Sequence, residues 1–148
     1  MREVDIQSQM VRDVGRDGGF AYKASNRFLI GVPDLFIQMP GFPSCQIEVK
    51  KLDKYPKSGV IPVDLTAHQR NHLCRLQEAG GYGGWLVAVK DGRDWIIFAH
   101  ADTRMEKIRN SGKVFDMLPQ LKSHGKPWPV KGIVAVICAE CNARRPKQ

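Results

Sequence analysis

Residues 31–51 read GVPDLFIQMPGFPSCQIEVKK. Two short apolar runs flank a break that contains proline and glycine, a pattern typical of two antiparallel strands joined by a turn. Charged residues stand inside both runs: Asp34 in the first, and Glu48 and Lys50 in the second. A charge in an otherwise buried strand is costly unless it is paired or binds a cation, so the hairpin indicates a candidate site.

The turn of this hairpin predicts which residues face each other. If the turn is centred on Gly41, residues equally far from it form cross-strand pairs, and Asp34 then faces Glu48. The Cβ atoms of such a pair lie about 5 Å apart. Lys50 follows Glu48 by two residues, so its side chain leaves the same face of the strand. A slip of one residue would turn Glu48 and Lys50 away from Asp34.

Two facing carboxylates indicate a cation. They repel each other in a partly buried place, and they are tolerated when they share a proton or hold a cation between them. Mg²⁺ takes oxygen ligands, usually one or two of them protein carboxylates. With a lysine beside it, the pair predicts metal-assisted hydrolysis of a phosphodiester. The alternative is that Asp34 caps a turn and that Glu48 and Lys50 lie on an exposed edge, but the apolarity of both strands favours the site.

The whole chain fits one folded domain with an anionic partner. Its 148 residues are 43% apolar and 26% charged, which argues against disorder. The net charge of +8 favours nucleic acid as the partner. No apolar run approaches the roughly 18 residues of a membrane span, and no signal peptide is evident. We therefore expect no membrane partner and a cytoplasmic location, which is the host cytoplasm if the gene belongs to a phage.

The order of elements predicts an α/β sheet with helices packed on it. The predicted helices are 2–16 and 67–79, and the predicted strands are 20–24, 32–38, 45–51, 85–90 and 94–100. A long polar loop is expected at 52–64. Farther along, we expect helices at 102–110 and 113–123 and a strand at 132–138.

The hairpin and its surroundings resemble the PD-(D/E)xK nuclease superfamily. Pro33-Asp34 and Glu48-Val49-Lys50 match the two halves of its motif, and the stretches LTAHQRNHLCRLQEAGG and WLVAV follow in the order of the VRR-type and Holliday junction resolvase branches. The likeness covers about residues 2–98. It implies a restriction-endonuclease-like mixed β-sheet core flanked by helices in residues 1–100, with residues 101–148 as a C-terminal extension.

The resemblance also implies roles for individual residues. Asp34 and Glu48 would bind Mg²⁺ or Mn²⁺ with the Val49 carbonyl, and Lys50 would position the attacking water. Glu3 would contribute to metal or water binding from the first helix. Asp5 competes with Glu3 for that role, although Glu3 fits the phase of the helix better.

Gln69 has two alternative roles. The resemblance implies that it orients the site. Its place three residues after Thr66 instead matches a capping box at the start of the second helix. The two roles compete for one side chain.

A basic rim is expected around the site, where a DNA backbone would lie. Its candidate members are Lys51, Lys54, Lys57 and Arg70. The resemblance also implies that Lys23 and Ser25, just before the motif, stand where relatives often place a basic or hydroxyl residue near the scissile phosphate. The implied activity is a Mg²⁺-dependent, structure-specific endonuclease acting on branched DNA, such as a four-way junction, in recombination or repair, with a homodimer supplying two cuts. The alternatives are a restriction-like, nicking or flap endonuclease, or a basic DNA-binding module without catalysis.

A zinc site is a weaker possibility. Cys138 and Cys141 form a single C-x-x-C, which is half of a zinc site. His68 and His72, four residues apart on the second predicted helix, are candidates for the other half.

Overall fold

The computed structural model describes residues 1–24, 30–109, 120–123 (backbone only) and 128–145. The elements in chain order are α1 (Glu3–Arg16), β1 (Phe20–Lys23), β2 (Leu35–Gln38), β3 (Cys45–Leu52), β4 (Val60–Pro62), α2 (Ala67–Glu78), β5 (Tyr82–Asp91), β6 (Asp94–His100), β7 (Lys107–Arg109), β8 (Gln120–Ser123) and α3 (Val130–Arg144).

One mixed sheet organises the part of the chain that the structure describes. Its strand order is β1-β2-β3-β5-β6-β8, and β4 and β7 form a separate small antiparallel pair. The β3–β5 pair is parallel, and the other neighbours in the large sheet are antiparallel. A parallel pair needs a long crossover, and α2 lies in it. The predicted mixed α/β sheet flanked by helices is confirmed.

The predicted register of the hairpin is also confirmed. Leu35 pairs with Ile47 and Ile37 pairs with Cys45, as a turn centred on Gly41 requires. Gly41 has a φ of 83°, a conformation that glycine adopts without steric cost. Because strand side chains alternate, this register sends Glu48 and Lys50 to one face of the sheet.

The two faces of the sheet are covered differently. The helices α1 and α3 pack on one face, where a continuous core includes Ile6, Ile47, Val49 and Ile133. On the other face, α2 packs against β5. The core there is a second cluster with Trp85 and Phe98 at its centre. Glu48 and Lys50 belong to this second face.

The predicted strand at 132–138 is wrong, because these residues belong to α3. A short run of valine and isoleucine does not distinguish a buried strand from a buried helix by periodicity. The buried residues of the run instead recur at helical spacing: Ile133, Val134, Ile137, Cys138 and Cys141.

The helix predicted at 102–110 is wrong as well. The chain turns at 103–104 and then forms β7. This strand pairs with β4, which lies within the stretch expected to be a long loop. Residues 120–123, expected at the end of a helix, form β8, and residues 113–119 lie outside the described residues.

Within the described ranges, none of the helices has both the length and the apolarity that crossing a bilayer requires.

Candidate active site

The candidate site lies where β3 extends beyond β2. β3 pairs with β5 along its whole length, but its pairing with β2 ends at Ile47. Beyond Ile47, two carboxylates accept hydrogen bonds from backbone N–H groups of β3 in place of a neighbouring strand. Asp34 Oδ2 accepts a hydrogen bond from the Val49 N–H at 3.0 Å, and Glu3 Oε2 accepts one from the Lys51 N–H at 3.1 Å. Asp34 and Glu3 are therefore both held against the open edge of β3.

Glu48 is the buried acid of the site. Only 3% of its side chain is exposed. Its Oε1 accepts a hydrogen bond from Gln69 Nε2 at 2.9 Å and lies 3.7 Å from Lys50 Nζ. Its Oε2 is buried and has no hydrogen-bond partner among the residues that the structure describes. An unpaired buried carboxylate oxygen is costly, and it is the strongest sign of a missing ligand here.

The pKa of Glu48 is raised to about 8. Burial is the largest cause, and the neighbouring Asp34 carboxylate is the next, while Lys50 acts in the opposite direction. Because the Asp34 carboxylate is one of the causes, the raised pKa of Glu48 indicates that Asp34 lies close enough to oppose the ionisation of Glu48. A cation between them would remove that opposition.

Lys50 connects this pair to solvent. Its side chain is 20% exposed, and its ammonium group is the cation nearest to Glu48 among the contacts described. The confirmed register places it on the same face as Glu48. At this position it is able to contact a phosphate or a water that approaches the two carboxylates.

Gln69 performs both of the roles that the sequence set against each other. Its backbone N–H donates to Thr66 Oγ1 at 3.2 Å, and its own Oε1 accepts from the Thr66 N–H at 2.9 Å, which completes the capping box of α2. Its Nε2 is left free to donate to Glu48. The two ends of one carboxamide thus fix the helix and the carboxylate together.

Glu3 and Asp5 face different partners. Glu3 reaches β3, as described above, whereas Asp5 accepts hydrogen bonds from the N–H and the guanidinium of Arg2 at the exposed start of α1. The backbone and side-chain bonds from Arg2 lower the pKa of Asp5. Of the two acids, Glu3 is the one directed to the candidate site.

The donors at the site fit a hard divalent cation. Asp34 and Glu48 supply carboxylate oxygens, and one Glu48 oxygen lacks a hydrogen-bond partner within the described part of the chain. Two carboxylates suffice for Mg²⁺, which keeps several waters. Across the described residues, no group of three or more His, Cys, Asp or Glu side chains is arranged to hold a metal ion.

The same finding bears on zinc. Cys138 and Cys141 are buried in the core. His72 Nε2 lies 3.1 Å from Gln46 Oε1 on β3, and His68 is exposed on α2. A zinc site that combines these cysteines and histidines is not formed in the part of the chain that the structure describes.

The residues of the expected basic rim have different surroundings. Lys23, Lys54 and Lys57 are exposed. Lys51 Nζ forms an ion pair with Asp53 at 2.6 Å. Ser25 lies outside the described residues.

Arg70 is bound to the fold. Its guanidinium donates to four backbone carbonyl oxygens, at distances of 2.8 to 3.2 Å. The acceptors are Val63, Leu65, Thr103 and Met105. Arg70 therefore ties the segment before α2 to the segment before β7, and its donors are directed into the protein.

One feature beside the site was not assigned a role from sequence. Phe20 and Tyr22 of β1 are exposed, and Tyr22 stacks on Phe36 of β2. The alternation of aromatic residues in FAYK is the signal that was available, and it predicted the strand without showing that its aromatic face is uncovered.

Comparisons with known proteins give a distant likeness among solved structures. No protein-family model matches the chain, and no curated protein matches it either. Among solved structures, the chain is similar to Hjc, a Holliday junction resolvase of the archaeal hyperthermophile Archaeoglobus fulgidus. The TM-score is 0.47 with 16% sequence identity, over 64% of this chain and 74% of that chain. A likeness this distant does not establish the activity of the chain.

Proposed function

We propose that the chain is a Mg²⁺-dependent, structure-specific DNA endonuclease of the PD-(D/E)xK type that hydrolyses phosphodiester bonds in branched DNA, in the manner of a Holliday junction resolvase. One observation carries the proposal: buried Glu48 has an oxygen without a hydrogen-bond partner among the described residues, and it lies beside Asp34 with Lys50 on the same face. A buried acid beside a second, partly buried acid and a lysine is costly to fold, and divalent-metal hydrolysis is a function that uses all three groups.

The side chains have distinct tasks in this proposal. Asp34, Glu48 and the Val49 carbonyl would hold Mg²⁺ (or Mn²⁺), which when bound supplies charge stabilisation at the phosphate and a more acidic water. Gln69 holds the Glu48 carboxylate in one orientation. Asp34 is held by the Val49 N–H, so both acids are positioned before a substrate arrives.

Lys50 would act on the substrate side. Its partly exposed ammonium group stands next to the acids and is free to orient the attacking water or to neutralise charge at the phosphate. Glu3 would support the site from the Lys51 end of the same strand edge. It would contribute there to binding of the metal or of a water.

The nucleic-acid partner is supported by charge. The chain carries a net charge of +8, and lysines at 23, 54 and 57 are exposed. Phosphate contacts of this kind give affinity without reading sequence, which suits an enzyme that recognises a DNA shape. Branched DNA that needs two cuts would require two sites, so a homodimer forms part of the proposal.

The test uses a labelled four-way junction and a linear duplex of the same sequence, with Mg²⁺ and then with EDTA. We expect paired cuts in the junction that depend on Mg²⁺. Lys50→Ala and Asp34→Asn should lower the rate by about a hundredfold or more. The nuclease proposal would be disproved by a wild-type protein that cuts neither DNA, or by a Lys50→Ala variant that cuts as fast as the wild type.

The same experiment separates the alternatives. Products at one preferred linear sequence would instead identify a restriction-like enzyme, and products confined to nicked or flapped DNA would identify a nicking or flap endonuclease. DNA binding that ignores both Mg²⁺ and Asp34→Asn, with no cleavage of any substrate, would identify a basic binding module.

A further inference from the structure

An aromatic row lies uncovered beside the candidate site. The ring of Tyr22 stacks on that of Phe36, with centroids 4.9 Å apart and planes inclined by 20°. The ring centroid of Phe20 lies 5.7 Å from that of Tyr22 on the same strand. Phe20 is 62% exposed and Tyr22 is 46% exposed. Exposed aromatic side chains that adjoin one another mark an interaction site more often than apolar side chains that are exposed singly.

The register places this row on the face that carries the candidate acids. Tyr22 pairs with Phe36, and Phe36 pairs with Gln46, so the three share one face and one row across the sheet. Glu48 lies two residues after Gln46 along β3, so the two side chains leave the same face of the sheet. Two residues of strand span about 7 Å, and neighbouring strands lie about 4.8 Å apart. Phe36 lies one strand and Tyr22 two strands from β3, so a short single strand with a phosphate at the acids is able to reach both rings.

The charge around the row favours a nucleic acid as its occupant. Lys50 lies on the same face of the sheet as the row. Lys23 is exposed on the same edge strand but directly follows Tyr22, and its Nζ donates to the Val4 carbonyl oxygen of α1 at 3.4 Å. A second copy of the chain docked on this face would bring its own lysines near the lysines of the first copy, and each copy carries a net charge of +8. Duplex DNA hides the faces of its bases within the helical stack. Only an unpaired or splayed base offers a ring face to Tyr22 and Phe20.

We propose that Phe20, Tyr22 and Phe36 form a stacking platform for unpaired bases of DNA, immediately beside the cleavage site. This inference rests on the proposed function and narrows its substrate to DNA with unstacked nucleotides next to the cut. Each stacked base typically contributes enough to change the affinity by about tenfold. The platform thereby selects forks, flaps or opened junction centres over continuous duplex.

Binding in EDTA tests the platform without cleavage. The probe is a 12-nucleotide oligodeoxythymidylate with one 2-aminopurine, whose fluorescence is quenched on stacking, and the reference is a blunt duplex. We expect Tyr22→Leu to weaken binding of the single strand by about tenfold and to abolish the quench, with duplex binding unchanged. Tyr22→Phe keeps the ring and should behave as wild type. Phe20→Leu, at the more exposed position, is the second variant, and thermal unfolding checks the fold of each.

The outcomes separate this inference from the nuclease proposal. If wild type and Tyr22→Phe quench the probe, Tyr22→Leu does not, and the protein cuts no DNA, the platform is supported and the nuclease is disproved. Cleavage with equal single-strand affinity in wild type and Tyr22→Leu leaves the nuclease and overturns the platform. A wild-type dimer in sedimentation that dissociates in Tyr22→Leu also overturns it, because the row would then contact a second copy.

Discussion

Gln69 Nε2 donates a 2.9 Å hydrogen bond to Glu48 Oε1, and this bond links the first turn of α2 to the centre of the sheet. The same carboxamide closes the capping box with Thr66. The position of Glu48 therefore depends on where α2 begins. Gln69 therefore fixes both the start of α2 and the orientation of Glu48. Mutations at Thr66 and Gln69 are able to separate the effect on stability from the effect on activity.

Thr66→Ala and Gln69→Ala should separate stability from activity. Thr66→Ala removes the acceptor for the Gln69 N–H but leaves the bond to Glu48, so it should lower the free energy of unfolding by about 1 kcal/mol and retain cleavage. Gln69→Ala also releases Glu48, and it should lower cleavage by about 10–100-fold in addition. Urea denaturation and junction cleavage measure the two effects. Equal loss of activity in both variants would contradict the assignment of Gln69 as the residue that orients Glu48.

The stability of the metal-free protein should fall as the pH rises. Glu48 has a pKa of about 8 in the folded chain against an ordinary value of 4.5, so the folded state binds more protons between these values. The free energy of unfolding therefore falls with rising pH. The stabilisation that proton binding by Glu48 contributes is fully present below pH 4.5 and is lost as the pH rises through 8. Urea midpoints in EDTA at pH 5, 7 and 9 measure this loss.

The control for that prediction is Glu48→Gln. An amide does not titrate, so the variant should lack this part of the pH dependence while it keeps the rest. Mg²⁺ should also weaken the dependence in the wild type, because a bound cation favours the ionised carboxylate. A Glu48→Gln variant with the same pH profile as wild type in EDTA would show that another group is responsible.

Glu3 should matter to activity through its charge and to stability through its bond. Glu3→Gln keeps an oxygen to accept from the Lys51 N–H, so the free energy of unfolding should change little, while cleavage falls by about tenfold. Glu3→Ala leaves that N–H without a partner and should lower both. The matched control is Asp5→Asn, since Asp5 bonds only to Arg2 in the contacts described. Asp5→Asn with the larger loss of cleavage would reverse the choice between the two acids.

The hairpin was predictable because its information is local. A glycine at the turn centre and the period of two along each strand fix the partners of Leu35 and Ile37, and with them the face of Glu48. The capping box of Gln69 is likewise a signal over three residues. Its additional bond to Glu48 is not local, because the two residues are 21 positions apart. From sequence, the two roles therefore seemed to exclude each other.

The errors lie where local patterns have two solutions. The run GIVAVIC is equally suited to a buried strand and to a helix buried against the sheet, and it forms part of α3 because the face opposite α2 needs a cover next to α1. Arg70 shows the same limit for a single residue. Its acceptors Thr103 and Met105 are 33 and 35 positions away, and nothing near Arg70 in the sequence indicates them.

The last prediction separates Arg70 from the exposed lysines. Arg70→Met leaves four carbonyl oxygens without their donor and should lower the free energy of unfolding by about 3 kcal/mol or more. Below its melting temperature, its DNA binding should keep the salt dependence of wild type. The double variant Lys54→Ala/Lys57→Ala should do the opposite, with unchanged stability and a log–log salt slope reduced by about two. Binding isotherms from 50 to 200 mM NaCl measure these slopes. A slope reduced by about one in Arg70→Met would place Arg70 on a phosphate and remove the basis for treating it as structural.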